Sequence, residues 1–179
     1  PKIYLSESRF VYDATVKAPE VTSVTVGSSA IALDPSEYTV EYSGGRKNAG
    51  TYSVTVKLDG NYTGKSSKNF VIEQQSLKEA KVTLKKRTYT YSGKECKPEV
   101  TVTVDGVTLK KGTDYKVTYA DNKKVGYGSV RVEGIGNYKS KSENMKFLIR
   151  KDIQKFVVTP KADSFKVSYS KLKSSAQSL

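Results

Sequence analysis

The 179-residue chain contains no histidine, no tryptophan, one cysteine and one methionine. Without histidine the usual general base is missing, which excludes Ser-His-Asp and Cys-His triads and nearly all catalytic zinc arrangements. A lone Cys96 can neither staple a domain nor complete a zinc site, so the chain is not a disulfide scaffold. Cys96 reads as a small, partly buried strand residue; the alternative is a reactive thiol between Lys94 and Lys97. No apolar run approaches the roughly 18 residues that span a bilayer, and the opening residues do not read as a signal peptide, which in part of a longer chain says little about the compartment. There is no Walker loop. Gly134-Ile135-Gly136-Asn137-Tyr138 lacks the third glycine of a phosphate cradle and opens no helix. A calcium loop needs acids at alternate positions, where Asp121-Asn122-Lys123-Lys124 offers lysines.

What the chain does have is a second version of itself. Tyr91-Ser92-Gly93-Lys94 with Pro98 echoes Tyr12-Asp13-Ala14-Thr15 with Pro19, at an offset of 79 residues. Asp114-Tyr115-Lys116-Val117-Thr118-Tyr119 echoes Glu37-Tyr38-Thr39-Val40-Glu41-Tyr42 at 77. Gly136-Asn137-Tyr138 echoes Gly60-Asn61-Tyr62 at 76, and Phe147-Leu148-Ile149 echoes Phe70-Val71-Ile72 at 77. Such a period is too long for a solenoid unit and suits a small self-contained domain. The expected division is 1–76, 77–150 and a remainder, 151–179. Pro1 stands where an initiator Met would, and the end looks unfinished, so the chain reads as part of a longer one.

Within each copy, apolar residues fall at every second position, as in Thr51-Tyr52-Ser53-Val54-Thr55-Val56-Lys57-Leu58 and Val100-Thr101-Val102-Thr103-Val104. That is the period of a half-buried strand, and the abundant Val, Thr and Tyr suit a pleated surface. The best helical stretch is only the short polar turn from Gln74 to Ala80. Val104-Asp105-Gly106-Val107 signals a two-residue type I′ hairpin, where the first copy has a looser Gly27-Ser28-Ser29. The predicted strands are 2–6, 9–12, 20–26, 30–33, 37–43, 50–58 and 67–73. Their counterparts are 81–85, 88–92, 99–104, 107–110, 114–120, 126–133 and 143–150. Seven short alternating strands per copy predict an all-β chain: two tandem immunoglobulin-like antiparallel β-sandwiches plus a C-terminal strand segment. In the tail, strands are expected over 153–159 and 164–170, with Phe165, Val167 and Tyr169 on one face, needing another surface to pair with.

The net charge of +13 is uneven. Residues 1–76 carry eight basic and eight acidic side chains, 77–149 carry sixteen and eight, and 150–179 carry seven and two. Because the first copy is neutral and the lysines are scattered along strands, nucleic acid is not the expected shared partner; solvated faces are, with an anionic wall polymer or lipid surface as a secondary possibility. Asp13, Glu20, Asp34, Glu37 and Glu41 sit at turns or on exposed faces, where turn formation is their expected role. Asn61-Tyr62-Thr63 fits a glycosylation sequon. Tyr38, Tyr42, Tyr115 and Tyr119 have core spacing, and Tyr62 and Tyr138 follow tight Asn turns that a ring would close.

Tyr-x-Gly-Lys, a downstream Pro, Gly-x-Asp-Tyr-x-Val-x-Tyr, a Val/Ala-Gly turn, Gly-x-Gly-Asn-Tyr and a closing Phe-x-Ile together resemble bacterial Ig-like tandem repeats of the MBG/YDG type. The second copy carries the whole pattern through Tyr91–Lys94, Gly112–Tyr115, Val125-Gly126 and Gly134–Tyr138; the first lacks the Gly-Lys and the first Gly of the last turn. The resemblance covers about 150 of 179 residues. The tail resembles the opening strands of another repeat type from the same proteins. The resemblance implies an extracellular setting, cell-surface or secreted. There the chain would be a non-catalytic stalk or spacer displaying or linking other domains, with neighbouring domains of the same longer chain as partners. The alternative is an adhesin-like or carbohydrate-binding module recognising glycans or cell-wall polymers. No catalytic, cofactor-binding or metal-binding residue is named, no cofactor is expected, and the expected chain is neither an enzyme nor, over these residues, transmembrane.

Overall fold

The computed structural model describes residues 1–142 and 144–152, together with the backbone of 160–161 and 164–165. The chain is nearly all β. The first half contains β1 (Lys2–Leu5), β2 (Arg9–Val11), β3 (Val21–Val26), β4 (Ile31–Ala32), β5 (Tyr38–Tyr42), β6 (Gly50–Leu58) and β7 (Lys65–Glu73). They form a three-stranded sheet, β1-β3-β4, and a four-stranded sheet, β2-β7-β6-β5. Alternation in β6 decides which face turns inward. Val54 and Val56 are fully buried, and Leu58 nearly so. Val56 and Leu58 pack against Ile3 and Val24 of the smaller sheet, closing a sandwich-like core.

After β8 (Gln75–Ser76) the same order returns. β9 (Lys81–Leu84), β10 (Thr88–Thr90), β11 (Val100–Val104), β12 (Val107–Thr108), β13 (Tyr115–Ala120), β14 (Gly126–Gly134), β15 (Tyr138–Lys139) and β16 (Met145–Arg150) follow. Their sheets are β12-β11-β9 and β10-β16-β14-β13. Leu84, Val100 and Val102 of one meet Val130, Val132, Phe147 and Ile149 of the other. Among the described residues there is no α-helix; Pro35–Glu37 forms one 3-10 turn, capped by Asp34.

The expected all-antiparallel pairing is corrected at one place in each half. β2 runs parallel to β7, and β10 parallel to β16. The cause is a change of sheet: β1 pairs with β3, and three residues later the chain crosses to the edge of the larger sheet. Backbone bonds fix the crossing, from Ser6 N–H to the Glu20 carbonyl and from Val71 N–H to the Ser8 carbonyl, both 2.9 Å. Lys85 to Glu99 (3.0 Å) and Leu148 to Arg87 (2.8 Å) repeat them.

Residues with positive φ recur at the repeat offset: Ala14 and Gly93, Gly45 and Asp121, Gly60 and Gly136, Gly64 and Ser140. At φ +62° the Ala14 methyl crowds its own carbonyl, a conformation that Gly93 adopts without cost at +73°. Ala14→Gly is therefore expected to raise stability by about 0.5–1 kcal/mol, the relief of strain exceeding the added chain entropy. Urea unfolding read on the first half checks it; a loss of stability would contradict the strain.

Strand positions agree with the alternation to within a few residues, and the Asp105-Gly106 hairpin forms with φ +48° and +81°. Two other expectations are corrected. The stretch from Gln74 to Ala80 is not merely a polar turn: Gln75–Ser76 is a strand paired with β15, and Leu77 is fully buried. Cys96 is buried outside any strand, its N–H bonded to the Asn122 carbonyl at 2.7 Å. In the tail, β17 (Pro160–Lys161) pairs with β18 (Ser164–Phe165); the expected strand 153–159, and the remainder of 164–170, lie outside the described residues.

Candidate functional site

The side chains singled out for chemistry do not converge. Among the described residues no three His, Cys, Asp or Glu side chains lie together. The acids fold turns instead. Asp34 accepts from Ser36 N–H while Glu37 accepts from Asp34 N–H, a capping box in which Asp34 sits below the usual carboxylate range. Asp114 accepts from Lys110 N–H at 2.8 Å. Asp13 accepts from Lys17 Nζ (2.5 Å) and from both Thr15 donors, and these bonds hold its carboxyl well below its ordinary value of 3.8.

A carboxylate whose folded pKa is depressed contributes stability that is complete above its unfolded pKa and is lost as pH falls through the folded one. Asp13 therefore makes the first half less stable as pH drops below about 4. Asp13→Asn should flatten this part of the acid dependence while lowering stability at neutral pH. Chemical unfolding across acidic pH tests it; an unchanged slope in the variant is the contrary result.

The tyrosines divide into packed and free. Tyr42 and Tyr119 donate to the carbonyls of Pro19 and Pro98, at 2.7 and 2.8 Å, tying the middle of each copy to its edge. Tyr115 is buried and donates to Val100 O at 3.0 Å. Burial raises the phenol pKa of Tyr115, Tyr119 and Tyr138. Tyr38 and Tyr62 are half-buried against the first core. Tyr127, by contrast, is 66% exposed beside Lys123, Lys124 and Val125, in an open groove of about 420 Å³. Cys96 is buried, and its backbone carbonyl accepts from Asn122 Nδ2 at 3.2 Å.

The most constructed place outside the cores is the junction. Gly136, at φ +63°, turns the chain so that Asn137 projects toward the first half. Asn137 Oδ1 accepts from Ala49 N–H at 2.8 Å, its Nδ2 donates to Asn48 Oδ1 at 3.1 Å, and its carbonyl accepts from Gln75 N–H at 3.0 Å. Gln74 Nε2 donates to the Gly136 carbonyl at 2.7 Å. β8 and β15 pair in parallel, continued by Leu77 N–H to the Lys139 carbonyl at 2.9 Å. Tyr12 meets Tyr138 edge to face, centroids 5.5 Å apart at 82°. Glu73 lies between Arg9 (2.6 Å) and Lys139 (3.6 Å), and the Arg9 bond foremost, then the Lys139 charge, lowers its pKa.

The turn glycines and Tyr138 were legible in the sequence as a turn, whereas the docking role of Asn137 was not. Its one signal is that Gly-Asn-Tyr appears in both copies, more identity than a turn alone demands. No protein-family model matches the chain, and no curated protein matches it.

Proposed function

We propose that the chain is a pair of tandem immunoglobulin-like sandwiches serving as a non-catalytic spacer in a bacterial cell-surface or secreted protein, holding neighbouring domains at a set distance. The observation that supports this reading best is the junction: backbone pairing, three side-chain amides and an edge-to-face ring pair bind two like units, which suits a semi-rigid rod. The parallel pairing of β2 with β7 suits it too. Tension applied at the two ends of such a unit loads these bonds in shear, all together, rather than unzipping them singly.

Pulling the chain between handles in single-molecule force spectroscopy tests the proposal. Two sawtooth events are expected, each releasing about 20–25 nm, the length of some seventy residues less their folded span. One event, or release without a force peak, is the contrary result.

A binding module for glycans or anionic wall polymers is the second reading, favoured by exposed Tyr127 among Lys123 and Lys124. Titration with purified wall polymer separates the two. A spacer shows no binding that Tyr127→Ala abolishes, and a binding module does.

A further inference from the structure

The surface that receives the junction turn occurs twice, and one copy of it meets no such turn among the described residues. In the first half the receiving surface is a row at the end of the larger sheet: Tyr12, whose N–H bonds the Glu73 carbonyl, then Glu73, then Ala49 with its N–H directed at Asn137. The equivalent row in the second half is Tyr91, Arg150 and Val125. Tyr91 N–H bonds the Arg150 carbonyl at 2.7 Å, as Tyr12 bonds Glu73 at 2.9 Å. Gly126 faces Ile149 as Gly50 faces Ile72, which fixes Val125 as the counterpart of Ala49. Tyr12 is half-buried under Tyr138, but Tyr91 is 48% and Val125 45% exposed. The Val125 N–H has no hydrogen-bond partner among the described residues.

The inserted turn is also present twice. Gly60, at φ +65°, matches Gly136 at +63°, and Tyr62 N–H bonds the Asp59 carbonyl as Tyr138 N–H bonds that of Ile135. Asn61 of this first turn is exposed and makes no side-chain bond among the described residues. Glu41 and Asp59 line the hollow at this turn together with Lys57 and Lys65, and Asp121, Lys123 and Lys124 line the one beside Val125.

We propose that the Tyr91–Arg150–Val125 end binds the Gly60-Asn61-Tyr62 turn of a second copy of this chain, reproducing between molecules the contact that joins its halves. Asn61 Oδ1 takes the place of Asn137 Oδ1 at the Val125 N–H, and Tyr62 takes the place of Tyr138 against Tyr91. The contact is head-to-tail, so each bound copy still offers one free turn and one free row, and association proceeds into open chains.

Sedimentation velocity of the full chain over rising concentration tests the proposal, using the exposed-site variants Asn61→Ala and Tyr91→Ser. The wild type should show a weight-average mass that climbs past that of a dimer by about 1 mM. Each variant alone should associate at least about tenfold more weakly, having lost the turn or the row. An equimolar mixture of the two retains one intact turn and one intact row, so it should recover association but stop at a one-to-one dimer. A wild type that stays monomeric, variants that associate as the wild type does, or a mixture that grows beyond the dimer would each overturn it.

Discussion

Truncating Phe147 to alanine is expected to destabilise the second half by about 3–5 kcal/mol. Its ring is 1% exposed, lies edge-on to Tyr89 at 5.7 Å, and occupies the centre of a core built from both sheets. One face of the ring rests directly on the backbone of Gly128, where an added Cβ would come within 2.4 Å of the ring. Gly128→Ala should thus cost about 1–3 kcal/mol by overpacking, while Phe147→Ala leaves a cavity of the opposite kind. In the first half Tyr52 stands where Gly128 does, lying beside Phe70 at 5.9 Å and donating to the Asn48 carbonyl. The two copies therefore fill the same space differently. Urea unfolding of the second half measures both variants. A Phe147→Ala loss below about 1 kcal/mol would mean that the ring is not the core residue its burial indicates.

Leu77→Ala is expected to cost about 2–5 kcal/mol, felt in the second half and not in the first. Leu77 is fully buried in the core of residues that follow it, alongside Tyr138, and its N–H closes the β8–β15 ladder. It is both the first core residue of the second unit and the last bonded residue of the junction. The same substitution should loosen the Tyr12–Tyr138 contact, because Tyr138 and Leu77 belong to the same core. Two-dimensional NMR during denaturation resolves the halves separately. Equal loss in both would show that they unfold as one body, and no loss would place Leu77 outside the core.

The parts of this structure that were legible in the sequence are those set by period and turn chemistry. Alternation in Thr51–Leu58 and Val100–Val104 fixes which residues face inward, because a strand has only two faces. Asp105-Gly106 fixes a hairpin because few residues tolerate two consecutive positive φ angles. What escaped was decided by distant partners. The parallel β2–β7 pairing depends on a crossing held by Glu20 and Ser8 carbonyls, which no local pattern encodes. Leu77 sits in a polar stretch, so a single apolar residue carried too little signal to mark a core position. Asn137 looked like any turn asparagine, and only the fold brings it 88 residues back to Ala49. Cys96 was expected on a strand, whereas it lies in a loop with its N–H bonded to the distant Asn122 carbonyl.

If the junction is ordered, the two halves tumble together, and residual dipolar couplings of backbone amides in a weakly aligning medium measure this. The amides of β1–β7 and of β9–β16 are expected to fit a single alignment tensor, equal in magnitude and orientation, with the Ala49, Gln75 and Leu77 amides fitting that tensor equally well. Two tensors of different magnitude, with those three amides fitting neither, would contradict it.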